Sequence, residues 1–277
     1  MMILAAVGWS ISGVMIKFIP WNPILISGAR GIISSLVMYG SMRLSGYRMV
    51  FTKRSVASGI VIFLTVITFI TANKLTTAAN AIVLQYIAPV FVLLMTAFVL
   101  KRKLKKYEII TVAVSFIGII FFFMDQLSPK GMTGNVLAIV SGFFMSITYG
   151  LSGEIKNDDE RVSGMTQGHF MLALICTPIG LIMSDASDIT LTPIILIIIM
   201  GVVQMGIPYV LFGKATALIS GVEVSIISML EPMLNPIWVA LLYGEVPGKG
   251  AFIGAVLIIG AVTAYSVIDS KVNGTYD

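Results

Sequence analysis

Apolar residues occur along the chain in ten stretches, separated by short breaks that carry charged residues or Gly and Pro. A helix needs about 20 apolar residues to cross roughly 30 Å of hydrocarbon. The pattern therefore predicts ten membrane-spanning helices, at about residues 2–18, 22–42, 55–74, 76–100, 107–124, 133–153, 164–184, 191–213, 219–243 and 250–268. The breaks at 74/76 and 213/219 rest on one lysine each, so either neighbouring pair could instead be one long bent span.

Composition predicts the same class, an all-α integral membrane protein. Hydrophobic residues make up 57% of the 277 residues and charged residues 11%, whereas about a quarter of a soluble domain is charged. The Lys and Arg residues behind the net charge of +5 lie in the short breaks between apolar runs. Membrane topology explains this distribution better than a nucleic-acid partner does. Cys176, the only cysteine, lies in an apolar stretch and is expected to pack. Residues 2–18 lack the basic N-terminal region and the cleavage site of a signal peptide, so we interpret them as a membrane span that is retained.

The distribution of basic residues predicts the orientation. With the N-terminus in the cytoplasm, 13 of the 18 Lys and Arg residues face the cytoplasm, as the positive-inside rule requires. These residues are Arg43, Arg48, Lys53, Arg54, Lys101, Arg102, Lys103, Lys105, Lys106, Lys156, Arg161, Lys214 and Lys271. We therefore expect a multi-pass protein of the cell (inner or cytoplasmic) membrane with both termini cytoplasmic.

Two segments half a chain apart, residues 79–106 and 222–249, resemble each other. Each begins with a largely apolar run that ends in a proline, Pro89 in the first and Pro232 in the second. The first segment ends in a strongly basic loop and the second in a nearly neutral loop. Ten spans divide into two units of five, and an odd number of spans inverts the second unit. The expected organisation is a first five-helix repeat, a second, inverted repeat and a polar, disordered cytoplasmic tail, at residues 1–125, 126–268 and 269–277.

Ionisable residues at membrane depth are functional candidates because their insertion is costly. Arg30, in the second span, could bind an anionic substrate group, and Glu231, in the ninth, could carry a coupling proton. The alternative is that each is satisfied within the bundle, for instance by the other. Pro89 and Pro232 are candidate hinges for alternating access.

Uncharged polar residues at membrane depth predict a moderately polar cavity with aromatic walls. Helix-to-helix hydrogen bonding is the alternative for each of them. The predicted substrate-binding residues are Trp9, Ser12, Arg30, Asn73, Asn80, Tyr86, Tyr149, Gln204 and Glu231. The wider polar set adds Ser10, Gln85, His169, Tyr209 and Asn235. His169 is the only histidine and has no second ligand at a metal spacing, so no metal site is predicted.

Several short motifs, in this order and spacing, resemble the EamA-type permeases of the drug/metabolite transporter superfamily. They are residues 9–17, Arg30, residues 75–80 leading into Ala88 and Pro89, residues 230–232, and Gly244 and Glu245 followed by Gly254 and Gly260. The resemblance covers almost the whole chain. It implies a ten-helix inverted-repeat bundle around a central cavity that moves small organic metabolites, often amino acids or related compounds, commonly outward.

The chemistry of the chain narrows the function. No phosphate-binding loop of the G-x-x-x-x-G-K-[ST] kind occurs, so transport is expected to be facilitated or coupled to an ion gradient, with protons favoured. The Asp residues lie in loops or tails, which argues against a membrane-embedded enzyme, and no cofactor is predicted. Few intramembrane charges favour a neutral, zwitterionic or modestly hydrophobic substrate. A channel-like facilitative permease and a scaffold without transport activity remain the alternatives.

Overall fold

The fold was analysed in a computed structural model, which describes residues 1–11, 15–16, 18–124, 127, 129–184, 190–234, 238 and 249–273. This part of the chain is helical with short connections and contains no β-strand. The helices are α1 (Met2–Trp9), α2 (Pro23–Leu44), α3 (Lys53–Leu75), α4 (Ala78–Phe98), α5 (Lys106–Phe123), α6 (Met132–Glu154), α7 (Asp158–Ile182), α8 (Leu191–Ala215), α9 (Gly221–Ser228) and α10 (Lys249–Asn273).

Within the described residues, seven helices are long and apolar enough to cross a membrane. They are α2, α3, α4, α6, α7, α8 and residues Lys249–Asp269 of α10. Two of them contain a π-helical segment, Leu172–Cys176 in α7 and Met200–Gly206 in α8. The chain is therefore an all-helical protein with several membrane-spanning helices, as its hydropathy predicts.

Polar caps set the helix boundaries. The side chain of Asn22 accepts a hydrogen bond from the backbone N–H of Leu25 at the start of α2, where Pro23 occupies the first helical position. α3 ends at Leu75 before α4 begins at Ala78, and α8 ends at Ala215 before α9 begins at Gly221. Neither pair forms one long bent span.

The seventh helix starts earlier than hydropathy predicts, at Asp158 rather than near residue 164. The Asn157 side chain caps it, accepting from the backbone N–H of Glu160, and three acidic residues occupy its first turn. Negative charge is favourable at a helix N-terminus. Electrostatic interactions stabilise this charged first turn as a helix, and a search for apolar stretches does not detect them.

Glycines allow close helix packing around α7. A Cβ on Gly31 of α2 would lie 2.7 Å from Leu172 Cβ and 2.9 Å from the carbonyl oxygen of His169, and one on Gly168 of α7 would lie 2.8 Å from Ile62 Cβ of α3. Small residues let membrane helices approach until their backbones touch. We refer to Gly31, Gly59, Gly164 and Gly168, which join α7 to α2 and α3, as the glycine seam.

α5 and α10 pack mainly against each other. The Tyr107 hydroxyl of α5 donates a 2.6 Å hydrogen bond to Asp269 Oδ1 of α10, and the rings of Tyr107 and Tyr265 lie 5.6 Å apart. This contact buries Asp269, and α10 continues as a helix to Asn273. Residues 269–273 are thus part of a helix rather than of a disordered tail, and residues 274–277 lie outside the described part.

α4 and the region of α9 share an interruption. α4 consists of Ala78–Gln85 and Ala88–Phe98, separated by a turn at residues 86–87; after α9 a turn at Met229 precedes the helical residues 230–234. Ala78–Gln85 and α9 are each eight residues long, and the hydroxyls of Thr77 and Ser220 cap them. Pro89 and Pro232 stand at corresponding places just after the two interruptions.

Candidate functional site

A buried cavity lies between residues of α1–α4, α6, α8 and the helical residues 230–234. The space between its lining atoms amounts to about 590 Å³, including the part that opens outward. Its lining residues are Trp9, Arg30, Thr65, Val66, Phe69, Ile70, Gln85, Met145, Thr148, Tyr149, Gln204, Met205, Tyr209, Phe212 and Glu231. The cavity combines two opposite charges with aromatic and aliphatic walls, which is the composition of a small-molecule site.

One side of the cavity presents nitrogen donors. Arg30 is 2% exposed, and its Nη2 donates to Gln204 Oε1. Its Nε and Nη1, like the indole Nε1 of Trp9, have no acceptor within the described residues. A buried donor without an acceptor is costly. These N–H groups therefore suit the oxygen atoms of a bound anionic group.

The same cavity also presents a carboxylate. Glu231 Oε2 accepts a 2.6 Å hydrogen bond from the hydroxyl of Tyr86, which is 1% exposed. Tyr86 lies in the turn that interrupts α4, and Glu231 follows the turn after α9, so the two interruptions meet at the cavity. Among the described residues, no ion pair joins Arg30 to Glu231. The two charges therefore do not pair with each other; their contacts within the bundle are with Gln204 and Tyr86 instead.

Aromatic rings form one wall of the cavity. The Trp9 ring lies 5.3 Å from the Tyr209 ring and 5.5 Å from the Phe212 ring, and Tyr149 lies 5.9 Å from Phe212. All three pairs are tilted or edge-on, which is the favourable geometry for aromatic pairs. Such rings provide a rigid apolar surface, and their faces attract cationic groups.

Hydroxyl and amide groups opposite the aromatic wall are bonded within the bundle. Gln85 Nε2 donates to Ser141 Oγ at 2.8 Å, and Ser141 Oγ donates to the carbonyl oxygen of Thr65 at 2.9 Å. The hydroxyl oxygens of Thr65 and Thr148 lie 3.4 Å apart. These groups tie α3, α4 and α6 together at the cavity, so they fix its shape.

Five of the predicted substrate-binding residues line the cavity: Trp9, Arg30, Tyr149, Gln204 and Glu231. Tyr86 reaches it through its bond to Glu231. Ser12 lies outside the described residues. Asn73 and Asn80 are buried but do not line the cavity. The Asn80 amide instead donates to Thr76 Oγ1 at 3.2 Å and to Asn135 Oδ1 at 3.0 Å, near the α3–α4 connection.

Sequence reasoning missed several lining residues. Thr65 and Thr148 carry hydroxyls that also bond to their own helix, a contact that any membrane helix can make, so nothing in the sequence marked them. In the sequence, Phe69, Met145 and Phe212 cannot be distinguished from other apolar residues; only the fold shows that they line the cavity. Within the described residues, no three His, Cys, Asp or Glu side chains are grouped so that they could hold a metal ion.

Comparison with known proteins adds three findings. A family model described as the EamA-like transporter family matches residues 1–124 and 132–267. A protein of Clostridium kluyveri described as an uncharacterized transporter is 26% identical over 200 residues, which are 69% of this chain and 64% of that protein. Another so described, from Archaeoglobus fulgidus, is 27% identical over 203 residues, 72% of this chain and 71% of that protein.

A solved crystal structure shares the fold. It superposes on this chain with a TM-score of 0.82 over 95% of both chains, at 16% sequence identity. At that identity the likeness concerns the arrangement of the helices and not the substrate.

Proposed function

Because the chain belongs to the EamA-like transporter family, we propose that it is a secondary transporter that exports small zwitterionic metabolites, such as amino acids or related compounds. The match to the EamA-like transporter family, the relatives described as uncharacterized transporters and the apolar helices support a multi-pass membrane transporter of the drug/metabolite type. The proposal adds the substrate class, the outward direction and a mechanism of alternating access around the cavity.

The separation of two charges in one cavity supports a zwitterionic substrate. The carboxylate of such a substrate would meet the unpartnered N–H groups of Arg30 and Trp9, and its ammonium group would meet Glu231. A polyanion would face the Glu231 carboxylate, and a simple cation would leave the Arg30 donors unsatisfied. Tyr149, Tyr209 and Phe212 would then contact the rest of the molecule.

The proposed architecture is a pair of five-helix units, residues 1–125 and 126–268, with the second inverted relative to the first and both termini in the cytoplasm. The two stretches that match the family model, 1–124 and 132–267, support this division. So do the matched interruptions after Gln85 and Ser228. Movement about these interruptions, with Pro89 and Pro232 as hinges, would open the cavity to each side in turn.

Glu231 is the proposed coupling residue. It is the carboxylate among the residues that line the cavity, and within the described part of the chain its hydrogen-bond partner is the neutral Tyr86 hydroxyl rather than a cation. A carboxylate in this setting can take up a proton without breaking an ion pair. Protonation would remove the charge that holds the substrate's ammonium group and so couple a proton to substrate release.

Transport by purified protein in sealed liposomes tests the function. Amino acids are first screened by thermal shift, because a ligand stabilises the state that it binds. For each amino acid that stabilises the protein, we expect saturable uptake and stimulation by the same compound inside the liposomes. The corresponding amine without a carboxylate and the acid without an amine should each bind at least about tenfold more weakly. Uptake that never saturates would indicate a channel, and no uptake of any stabilising ligand would indicate a scaffold.

A further inference from the structure

Two further cavities lie away from the central cavity, beside α4 and α6. The first is a groove with almost entirely apolar walls, which we call the lateral groove; the space between its lining atoms amounts to about 1,120 Å³, including the part that opens outward. Its principal wall residues are Phe91, Leu94, Phe98, Phe143, Ile147 and Leu151. Leu94 and Phe143 are each 47% exposed and Phe98 is 77% exposed, so the groove opens sideways, where membrane helices face lipid.

The lateral groove has the dimensions of part of one leaflet. Phe91 to Phe98 covers about 10 Å of helix axis at 1.5 Å per residue. One leaflet contributes roughly 15 Å of hydrocarbon. The groove therefore presents apolar walls over much of the length of an acyl chain, and it ends at Leu100 and Glu154, where α4 and α6 themselves end.

A polar cavity of about 840 Å³ continues from that end and shares Leu100, Gly150 and Glu154 with the lateral groove. We call it the head pocket; Lys101, Arg102 and Ser220 also line it. Arg102 forms a 2.8 Å ion pair with Glu108. Among the described residues, neither Lys101 nor Glu154 has an ion-pair partner. One unpaired cation and one unpaired anion thus face the same pocket.

From this arrangement we infer that the lateral groove and the head pocket together form a binding site for an aminophospholipid such as phosphatidylethanolamine. One acyl chain lies in the lateral groove. The phosphate accepts from the ammonium group of Lys101, and the lipid's primary ammonium group donates to the carboxylate of Glu154. A zwitterionic headgroup matches the two charges, whereas an anionic headgroup would meet the Glu154 carboxylate without a compensating cation.

Native mass spectrometry of the detergent-purified protein, with lipids added one at a time, tests the site. We expect retained phosphatidylethanolamine in preference to phosphatidylcholine, whose quaternary ammonium group has no N–H to donate, and to phosphatidylglycerol, which has no cation. Lys101→Asn suits the positive φ of 53° at this position and removes the charge. Lys101→Asn and Glu154→Gln should each lower the occupancy by about tenfold, the effect of losing one charge-assisted hydrogen bond.

Matched controls are Lys53→Asn and Glu160→Gln, which remove the same charges from positions that do not line either cavity. They should leave lipid retention unchanged. A photoactivatable phosphatidylethanolamine on the unmodified protein provides a second measurement that needs no variant. Its label should fall on residues 91–102, 143–154 and 220–222, which contain the walls of the two cavities.

Four results would overturn the inference. The first is lipid retention no greater in the unmodified protein than in Lys101→Asn, and the second is a preference for phosphatidylglycerol that Glu154→Gln strengthens. The third is labelling outside residues 91–102, 143–154 and 220–222, and the fourth is a lipid-free dimer whose contact covers the groove. The second result would assign the pocket to an anionic lipid, and the last would assign it to a second copy of the chain. None of these measurements depends on transport.

Discussion

Arg30 and Glu231 line one cavity but bind different neighbours, Gln204 for the first and Tyr86 for the second. An ion pair between them would have neutralised both and left the cavity without a charge for a ligand. Because the two charges do not pair with each other, the proposed function gives each a separate role in transport. The two residues can therefore be tested separately.

The first prediction concerns Glu231. Glu231→Gln keeps the size of the side chain and removes its ability to exchange a proton. If Glu231 carries the coupling proton, uptake driven by a pH gradient should fall at least about tenfold. Substrate-for-substrate exchange needs no net proton movement, so it should persist at saturating substrate, with a higher KM because the proposed contact with the ammonium group loses its charge. Glu160→Gln, at the capped start of α7, is the control. An unchanged pH dependence of uptake in Glu231→Gln would remove the proton-carrier role.

The second prediction concerns Arg30. Arg30→Lys retains one positive charge but loses the planar fork that reaches both Gln204 and the cavity. We expect KM for the substrate to rise about tenfold or more with a smaller change in the maximal rate. Arg43→Lys, the same change at an exposed position of the same helix, should have no effect. Equal KM values for the two variants would place Arg30 outside substrate binding.

Sequence alone identified the two charged residues of the site because charge at membrane depth is conspicuous. It could not separate Gln204, which lines the cavity, from Asn80, which serves a polar network near the α3–α4 connection. Both are amides inside apolar stretches, and only the rotation of each helix tells them apart. Apolar residues occur throughout a membrane sequence, so the sequence alone could not identify Phe69 and Phe212 as cavity-lining residues.

At the scale of helices, close contacts and interruptions determine which elements hold together and which can bend. The glycine seam brings α7 into backbone contact with α2 and α3. The interruptions in α4 and after α9 instead leave short helical pieces that meet at the cavity. The first feature favours rigid units, and the second favours movement between them.

The third prediction tests the seam. Gly31→Ala places a methyl group 2.7–2.9 Å from atoms of α7, including the backbone oxygen of His169. Overpacking of this kind costs about 1–3 kcal/mol, so the melting temperature should fall. Gly40→Ala, in the same helix but with nothing within 4 Å, should instead leave stability unchanged or raise it by up to about 1 kcal/mol. Equal melting temperatures for the two variants would show that α2 and α7 are not tightly packed at Gly31.

The fourth prediction tests the hinges. Replacing Pro89 and Pro232 together with Ala restores a backbone N–H next to each interruption and favours continuous helices. We expect the maximal transport rate to fall while ligand binding, measured by thermal shift, is retained. Pro23→Ala, at the first position of α2, is the control because it adjoins neither interruption. Wild-type transport in the double variant would refute the hinge role.

For α2–α6 and α8 the predicted ends lie within about two residues of the observed ones, because long apolar runs are the strongest signal that a membrane sequence contains. Helix ends were predicted less accurately where charged residues stabilise the first or last turn. α7 gains a charged first turn at Asp158, and α10 extends to Asn273, past a buried hydrogen bond between Tyr107 and Asp269. The π-helical segments, such as Leu172–Cys176, left no trace in the hydropathy pattern.

For the whole molecule, the shared fold at 16% identity shows that the helical arrangement tolerates almost complete change of sequence. Long apolar helices can be built from many combinations of apolar residues, so the arrangement of the helices does not require a particular sequence. In the function proposed above, substrate choice would rest on the few charges and rings in the cavity. This is why composition predicts the class of protein better than it predicts the substrate.

The fifth prediction concerns sidedness. On a Cys176→Ala background, a single cysteine replaces either Lys103, in the loop before α5, or Met132, at the start of α6; both positions are exposed. With both termini cytoplasmic, a membrane-impermeant maleimide should label Met132→Cys in intact cells and Lys103→Cys only after permeabilisation. The reverse pattern would invert the topology, and labelling of both in intact cells would break the ten-span count.

The glycine seam has a consequence for hydrogen exchange. Where α2, α3 and α7 touch through glycine, the backbone amides are shielded by a neighbouring helix as well as by their own hydrogen bonds. Deuterium can reach them only when the helices separate. If α7 stays attached to α2 and α3 during transport, exchange at Gly31 and Gly168 will be slow and independent of substrate, whereas a seam that opens in each cycle would exchange faster as turnover increases.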